Sequence, residues 1–197
     1  MSPFEYRSRR LLFHRSAAAE EQVAGYAASF GWPRTEVPAD EEAGIPREVV
    51  WAIASTVDVR YSVDDATGSP YVFVTAAYRN QCQAFLAHAE QHLDVFSREE
   101  LLAVYGQAVE VDERTGLLLM VALGAPQEFD ETNVALISAA LTDPAEDVRE
   151  AAIYATSYTP CERYLPLLEQ IVRQDPPHQL REDAKDILAA YGEVGIR

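Results

Sequence analysis

The sequence predicts a mostly α-helical fold, in which helix pairs stack as an α–α superhelix in the C-terminal half behind a smaller α+β portion with a β-hairpin. Three observations support this. Apolar residues recur with helical spacing over residues 79–191, alternate with polar residues before that, and a ten-residue motif occurs twice, 32 residues apart. Repeats with about this period are typical of α-solenoids. We expect an N-terminal portion over residues 1–78 and helical repeats over residues 79–197.

The start of the N-terminal portion is compatible with two structures. Residues 4–14 form either an extended strand or a short helix. A helix follows over about residues 16–30, with Ser16 placed to cap its start and Gly31 to stop it. Residues 34–48 contain prolines and a run of acids, so we expect an exposed linker there.

Residues 57–75 predict the β-hairpin. Residues 57–63 alternate between apolar and polar, residues 71–75 are β-branched and aromatic, and the turn between the two segments contains Gly and Pro. Because two strands alone are only marginally stable, we expect the hairpin to lie against a helix or a third strand, for which residues 4–14 are available.

From residue 80 onward the apolar spacing is helical. Ser97 and Glu100 form a capping-box pattern, and Asp130 precedes another apolar stripe as a candidate cap. Helices are therefore expected over about residues 80–93, 97–105, 114–123, 130–141, 144–158, 161–173 and 178–191, as antiparallel pairs joined by short turns.

The repeated motif places Asp, Pro and Arg on identical offsets: Asp143, Pro144 and Arg149 recur as Asp175, Pro176 and Arg181. The two Asp residues are placed to cap helix starts, and the Pro residues fit a first turn, where a missing N–H costs nothing. Each Arg lies beside the apolar face, within reach of a carboxylate or carbonyl of an adjacent repeat, with Asp143 and Asp175 as candidate acceptors. We interpret both Arg residues as structural.

The pattern Asp-Pro-x-x-x-[Val/Leu]-Arg-x-x-Ala resembles the second helix of HEAT repeats, as found in bacterial HEAT-like proteins and in lyase-type HEAT proteins that handle phycobilins. The resemblance covers residues 130–191 as two repeats. Residues 97–124 resemble a degenerate earlier copy, in which Leu118 stands where Arg is expected. The resemblance implies a helical scaffold with an interaction surface, and it extends neither to a catalytic motif nor to residues 1–80.

The charge of the chain favours one class of partner. The net charge is −16, and residues 76–197 carry nine basic against 21 acidic residues. Such a surface repels nucleic-acid backbones and anionic lipid and attracts a basic protein, although acidity also serves solubility alone. The longest apolar run, residues 116–124, is too short to span a membrane, and the N-terminus lacks a secretory pattern. We expect a cytoplasmic, bacterial protein with reduced cysteines.

One cluster suggests metal binding. His88 and His92 lie at i and i+4 on one predicted helix face, with Cys82 upstream. A third ligand is not evident by spacing, and Glu90 is misplaced for the zincin motif, so we expect solvent-facing helix residues and no metal. No phosphate-binding loop or nucleophile signature occurs, and we expect neither a cofactor nor an enzyme.

The outward faces of the repeat helices are the candidate partner-binding surface. Helical spacing points these residues away from the core: Glu146, Glu150, Ile153, Tyr154, Ser157, Glu182, Lys185 and Asp186. The leading hypothesis is a noncatalytic interaction or adaptor module for a basic protein. One alternative is an immunity protein or inhibitor of a basic, nuclease-like toxin. Another is a metal-binding or enzymatic protein that uses Cys82, His88 and His92.

Overall fold

The computed structural model describes residues 4–40 and 45–196, so Glu41 and Glu42 of the expected linker lie outside the described residues. The chain divides into two compact units, Met1–Ser97 and Arg98–Arg197. None of the helices in the described ranges has the length and apolarity that a membrane crossing requires.

The first unit is built on an antiparallel sheet. Its described residues form six strands in the spatial order β1-β6-β5-β4-β3, and β2 also pairs with β6. The strands are β1 (Tyr6–Arg7), β2 (Leu11–Leu12), β3 (Arg34–Val37), β4 (Glu48–Ala54), β5 (Val57–Val63) and β6 (Pro70–Ala76). The predicted hairpin is β5 and β6, and the predicted third strand is supplied by β1 and β2.

The expected linker is partly a strand. Residues 34–37 pair in antiparallel register with β4, from Arg34 opposite Trp51 to Val37 opposite Glu48. All four residues of β3 are exposed, and this strand forms the edge of the sheet. An exposed edge strand lacks the apolar alternation that identifies a half-buried one, which is why the sequence suggested a linker.

One face of the sheet carries the core of the first unit. Apolar side chains of β4, β5 and β6 pack there with α1 (Ala19–Ser29) and α2 (Arg79–His92). A 3-10 turn over Ser16–Ala18 precedes α1, and Ser16 makes no cap, unlike the expectation. Gly31 follows α1 with a φ of 68°, a conformation that favours glycine.

The predicted boundary at residues 78 and 79 differs from the observed one. α2 belongs to the first unit, because its buried residues Cys82, Phe85 and Ala89 lie in the core of the sheet. A helix-by-helix sequence pattern cannot tell which core an apolar stripe joins. The helical unit therefore begins at Arg98.

The described part of the second unit, residues 98–196, forms helices and no strand. They are α3 (Arg98–Gln107), α4 (Val111–Leu123), α5 (Glu131–Ala140), α6 (Glu146–Tyr158), α7 (Leu165–Gln174) and α8 (His178–Glu193). Consecutive helices pack as the pairs α3 with α4, α5 with α6 and α7 with α8, and α4, α6 and α8 also pack side by side. The second helices of the pairs thus form one layer.

Of the three aspartates that were predicted to cap helices, one does so. Asp130 caps α5 as expected, because its side chain accepts hydrogen bonds from the N–H groups of Thr132 and Asn133. Asp143 and Asp175 do not cap helices. α6 and α8 each begin three residues later, at Glu146 and His178, and Asp143 instead accepts the N–H of Ala145 within the preceding turn.

Candidate functional site

A ladder of Arg–Asp ion pairs connects the helices of the layer. Arg114 on α4 binds Asp143, which lies in the turn before α6. Arg149 on α6 binds Asp175 before α8 with two bonds, Nε to Oδ2 at 2.8 Å and Nη2 to Oδ1 at 2.9 Å. The prediction that the repeated Arg and Asp residues pair between repeats is confirmed at Arg149.

The ladder charges are held in place by neighbouring polar groups. Burial alone would raise the pKa of Asp143, but the Ala145 N–H and the Arg114 guanidinium outweigh it and lower this pKa. Hydrogen bonds to Asp175 raise the pKa of Arg149. Both groups therefore stay ionised in the folded protein at neutral pH.

The ladder brings the first turns of α4, α6 and α8 to one edge of the layer, because each bond joins the start of one helix to the turn before the next. Residues 98–197 carry 19 acidic and eight basic residues. Arg98, Arg114 and Arg149 are turned inward onto Asp130, Asp143 and Asp175. The carboxylates left on the layer are mostly exposed: Asp112, Glu113, Glu146, Asp147, Glu150, Asp186 and Glu193, with Glu182 and Asp183 half-buried.

The α6 residues that were predicted to face outward are exposed apart from one. Glu146, Glu150 and Ser157 are exposed, and Tyr154 is 44% exposed. Ile153 is only 2% exposed and belongs to the core of the second unit, so its assignment to the partner-binding surface was wrong.

The burial of Ile153 has a structural reason. Arg149 and Thr156, one turn away on either side, both contact the last helix pair, through Asp175 and the Tyr191 hydroxyl. Ile153 therefore lies on the side of α6 that packs against α8. Lys185, 32 positions later, occupies the same offset on α8 and is exposed.

The α8 part of the predicted surface is only partly exposed. Glu182 is half-buried and accepts a 2.6 Å hydrogen bond from Lys185, which lowers the pKa of Glu182. Lys185 and Asp186 are exposed. The carboxylate of Glu182 is thus already paired, whereas Asp186 is an exposed acid of α8.

A pocket lies at the C-terminal end of α6. Tyr154 and Tyr158 meet edge to face with ring centroids 5.4 Å apart, and Tyr158 lines a cavity of about 250 Å³ together with Phe129 and Asn133. Phe129 is exposed, and Asn133 is buried with its Oδ1 lacking a hydrogen-bond partner among the described residues. The aromatic end of the α6 surface therefore borders a concave site that a partner side chain can enter.

An aromatic groove in the first unit was not anticipated from the sequence. Tyr26 and Phe30 at the end of α1 surround Trp32, and the rings of Phe30 and Trp32 stack at 4.9 Å. With Ile53 and His88 they line a cavity of about 430 Å³. The sequence signal that could have indicated this groove is the close spacing of the three aromatic residues Tyr26, Phe30 and Trp32 at the C-terminal end of α1. Such apolar walls suit an apolar or aromatic side chain.

The predicted metal candidates are engaged in other contacts. His88 Nδ1 lies 2.5 Å from the Tyr26 hydroxyl, and His92 Nδ1 donates to the His88 carbonyl at 2.8 Å. The two imidazoles stack at 4.0 Å, while Cys82 is buried in the sheet core. Over residues 4–40 and 45–196, no group of three or more His, Cys, Asp or Glu side chains is arranged to hold a metal ion.

Comparison with known proteins adds no relative. No family model, curated protein or solved structure matches this chain.

Proposed function

We propose that this chain is a noncatalytic protein–protein interaction module of HEAT-like repeats, and that the acidic surface of α6 binds a basic partner protein. In this proposal the helix pairs of the second unit are the start of an α–α superhelix. The pairing of successive helices, the side-by-side layer and the Arg–Asp ladder support a repeat architecture.

The single observation that carries the proposal is the separation of charge in the layer. Arg114 and Arg149 face their Asp partners inside the ladder, while Glu146 and Glu150 extend to solvent beside Tyr154. A surface with one sign of charge raises the rate at which an oppositely charged partner arrives, and an exposed tyrosine supplies a contact of the kind enriched in interfaces.

The test starts from the full chain as bait in cells that express it, with mass spectrometry of the proteins that co-purify. The purified partner is then used for binding kinetics with the double variant Glu146→Lys and Glu150→Lys. We expect association to slow by about tenfold, and the wild-type rate to fall as ionic strength rises.

A matched control keeps the change in total charge the same. Glu162→Lys with Glu169→Lys reverses two exposed carboxylates outside the α4, α6 and α8 layer. This control is expected to slow association much less. Equal rates for the two double variants would show that only net charge matters and would refute a binding surface on α6.

A further inference from the structure

Arg181, the equivalent of Arg149 in the second copy of the repeated motif, is held in the same orientation as Arg149. Arg149 donates from Nη1 to the carbonyls of Asp143 at 2.8 Å and Pro144 at 3.1 Å. Arg181 donates from Nη1 to the carbonyls of Asp175 at 2.6 Å and Pro176 at 2.7 Å. Each guanidinium is therefore oriented by the turn that precedes its own helix.

The two arginines differ at the opposite edge of the guanidinium. Nε and Nη2 of Arg149 hold the carboxylate of Asp175. Within residues 4–40 and 45–196, no carboxylate is hydrogen-bonded to these two atoms of Arg181. Because the Nη1 bonds fix the plane, Arg181 presents a two-donor fork of the geometry that a carboxylate prefers.

The side of α8 that carries Arg181 is complementary to an acidic ligand. On α6 the corresponding side runs through Arg149, Ile153 and Thr156, which pack against the next helix pair. The equivalents on α8 are Arg181, the exposed Lys185 and the half-buried Leu188. In a protein of net charge −16, this strip presents the guanidinium of Arg181 and an apolar side chain, beside Lys185, whose ammonium group is already paired with Glu182.

We propose that the outer side of α8 is a carboxylate-binding site, and that its ligand is an aspartate in the turn of a helical hairpin of a partner protein. The two occupied positions of the ladder define this ligand, since both hold an Asp that is followed by Pro in the turn before a helix: Asp143-Pro144 and Asp175-Pro176. Such a turn presents a short, rigid carboxylate to the fork, and the hairpin covers Leu188. This site is separate from the acidic surface of α6 and binds the opposite charge.

The experiment supplies such a hairpin in a known form. A second copy of residues 159–193 is fused behind the full chain through a flexible Gly/Ser linker, which gives the hairpin a millimolar-range effective concentration. The fraction of docked hairpin is measured from the NMR signals of α8. The aspartate of the copy that corresponds to Asp175 is changed to Asn, alone and together with Arg181→Gln.

The expected result is that each single change weakens docking by about tenfold and that the double change weakens it little further, because the two groups contact each other. Arg181→Lys keeps the charge but loses the fork, so it is expected to weaken docking nearly as much as Arg181→Gln. The same pair of single changes and their combination, made at Arg149 and Asp175 and measured as free energies of unfolding, is the internal reference for a formed ion pair.

Two results would overturn the proposal: docking that is unaffected by Arg181→Gln, or effects of the two single changes that simply multiply. A dimer of the unfused protein that dissociates on Arg181→Gln would also overturn it, because the ligand would then be a second copy. Glu146→Lys with Glu150→Lys is expected to leave docking unchanged, so failure at α6 and failure at α8 are distinguishable.

Discussion

Removal of the ladder arginine Arg149 is expected to destabilise the helical unit strongly. The variant Arg149→Met keeps most of the side-chain volume and removes both bonds to Asp175, as well as the bonds to two carbonyls. The side chain of Asp175 is only 8% exposed, and that of Arg149 is 13% exposed. The substitution thus leaves a carboxylate largely shielded from water without its counter-charge.

The expected loss in free energy of unfolding is about 3 kcal/mol, at the lower end of the range for removing one partner of a buried ion pair. Arg173→Met is the matched control, since Arg173 pairs with Glu169 at 3.3 Å while both side chains are more than half exposed. Surface pairs of this kind contribute roughly 0.5 kcal/mol or less. The double variant Arg149→Met with Asp175→Asn is expected to cost no more than Arg149→Met alone.

Urea denaturation followed by circular dichroism at 222 nm is the suitable assay. Both tryptophans, Trp32 and Trp51, lie in the first unit, so fluorescence does not report on the helices of the second. A cost for Arg149→Met as small as that for Arg173→Met would refute the structural role of the ladder. Additive costs in the double variant would refute the direct coupling of Arg149 and Asp175.

Three further predictions concern acid stability, packing and thiol exposure. The pKa of Asp143 is lower in the folded than in the unfolded protein, so its ionisation stabilises the fold above about pH 4, and this stabilisation is lost as pH falls through the folded pKa. Asp143→Asn should therefore flatten the pH dependence of the free energy of urea unfolding between about pH 5 and 2. An unchanged slope would contradict this. Ile153→Ala should cost about 3 kcal/mol in urea unfolding and Tyr154→Ala under about 1 kcal/mol, whereas similar costs would contradict the assigned burial. Cys161, half-buried, should react with a thiol reagent in the native state while buried Cys82 reacts only in denaturant, and two equally fast thiols would count against the packing of α2.

Local patterns predicted much of this fold because the physics behind them is local. The motif shared by Asp143 and Asp175 predicted helix pairs, and it predicted that Arg149 reaches an acidic residue of its neighbour, since identical offsets keep identical geometry. The hairpin of β5 and β6 was predictable for two local reasons. Buried and half-buried positions alternate along most of β5, whereas β6 is buried at nearly every position and is identified by its β-branched and aromatic residues.

The errors arise where a neighbouring element decides the outcome. Ile153 and Lys185 share an offset, yet α8 covers the first and no described helix covers the second. A helical wheel of α6 alone cannot contain that information. The fork of Arg181 was likewise invisible, because it depends on the carbonyls that orient the side chain and on the absence of a described carboxylate beyond them.

The sheet of the first unit has a consequence for the order of folding. The edge of β6 is completed by the N-terminal residues, where the Val74 N–H donates to the Ser8 hydroxyl across 66 positions of the sequence. The ladder bonds Arg114–Asp143 and Arg149–Asp175 span only 29 and 26 positions. Closing the longer loop costs more chain entropy, and contacts distant in sequence slow folding. On a growing chain, residues 4–12 therefore have no strand partner until β6 has been synthesised, whereas each helix pair gains its neighbour as soon as the next pair follows.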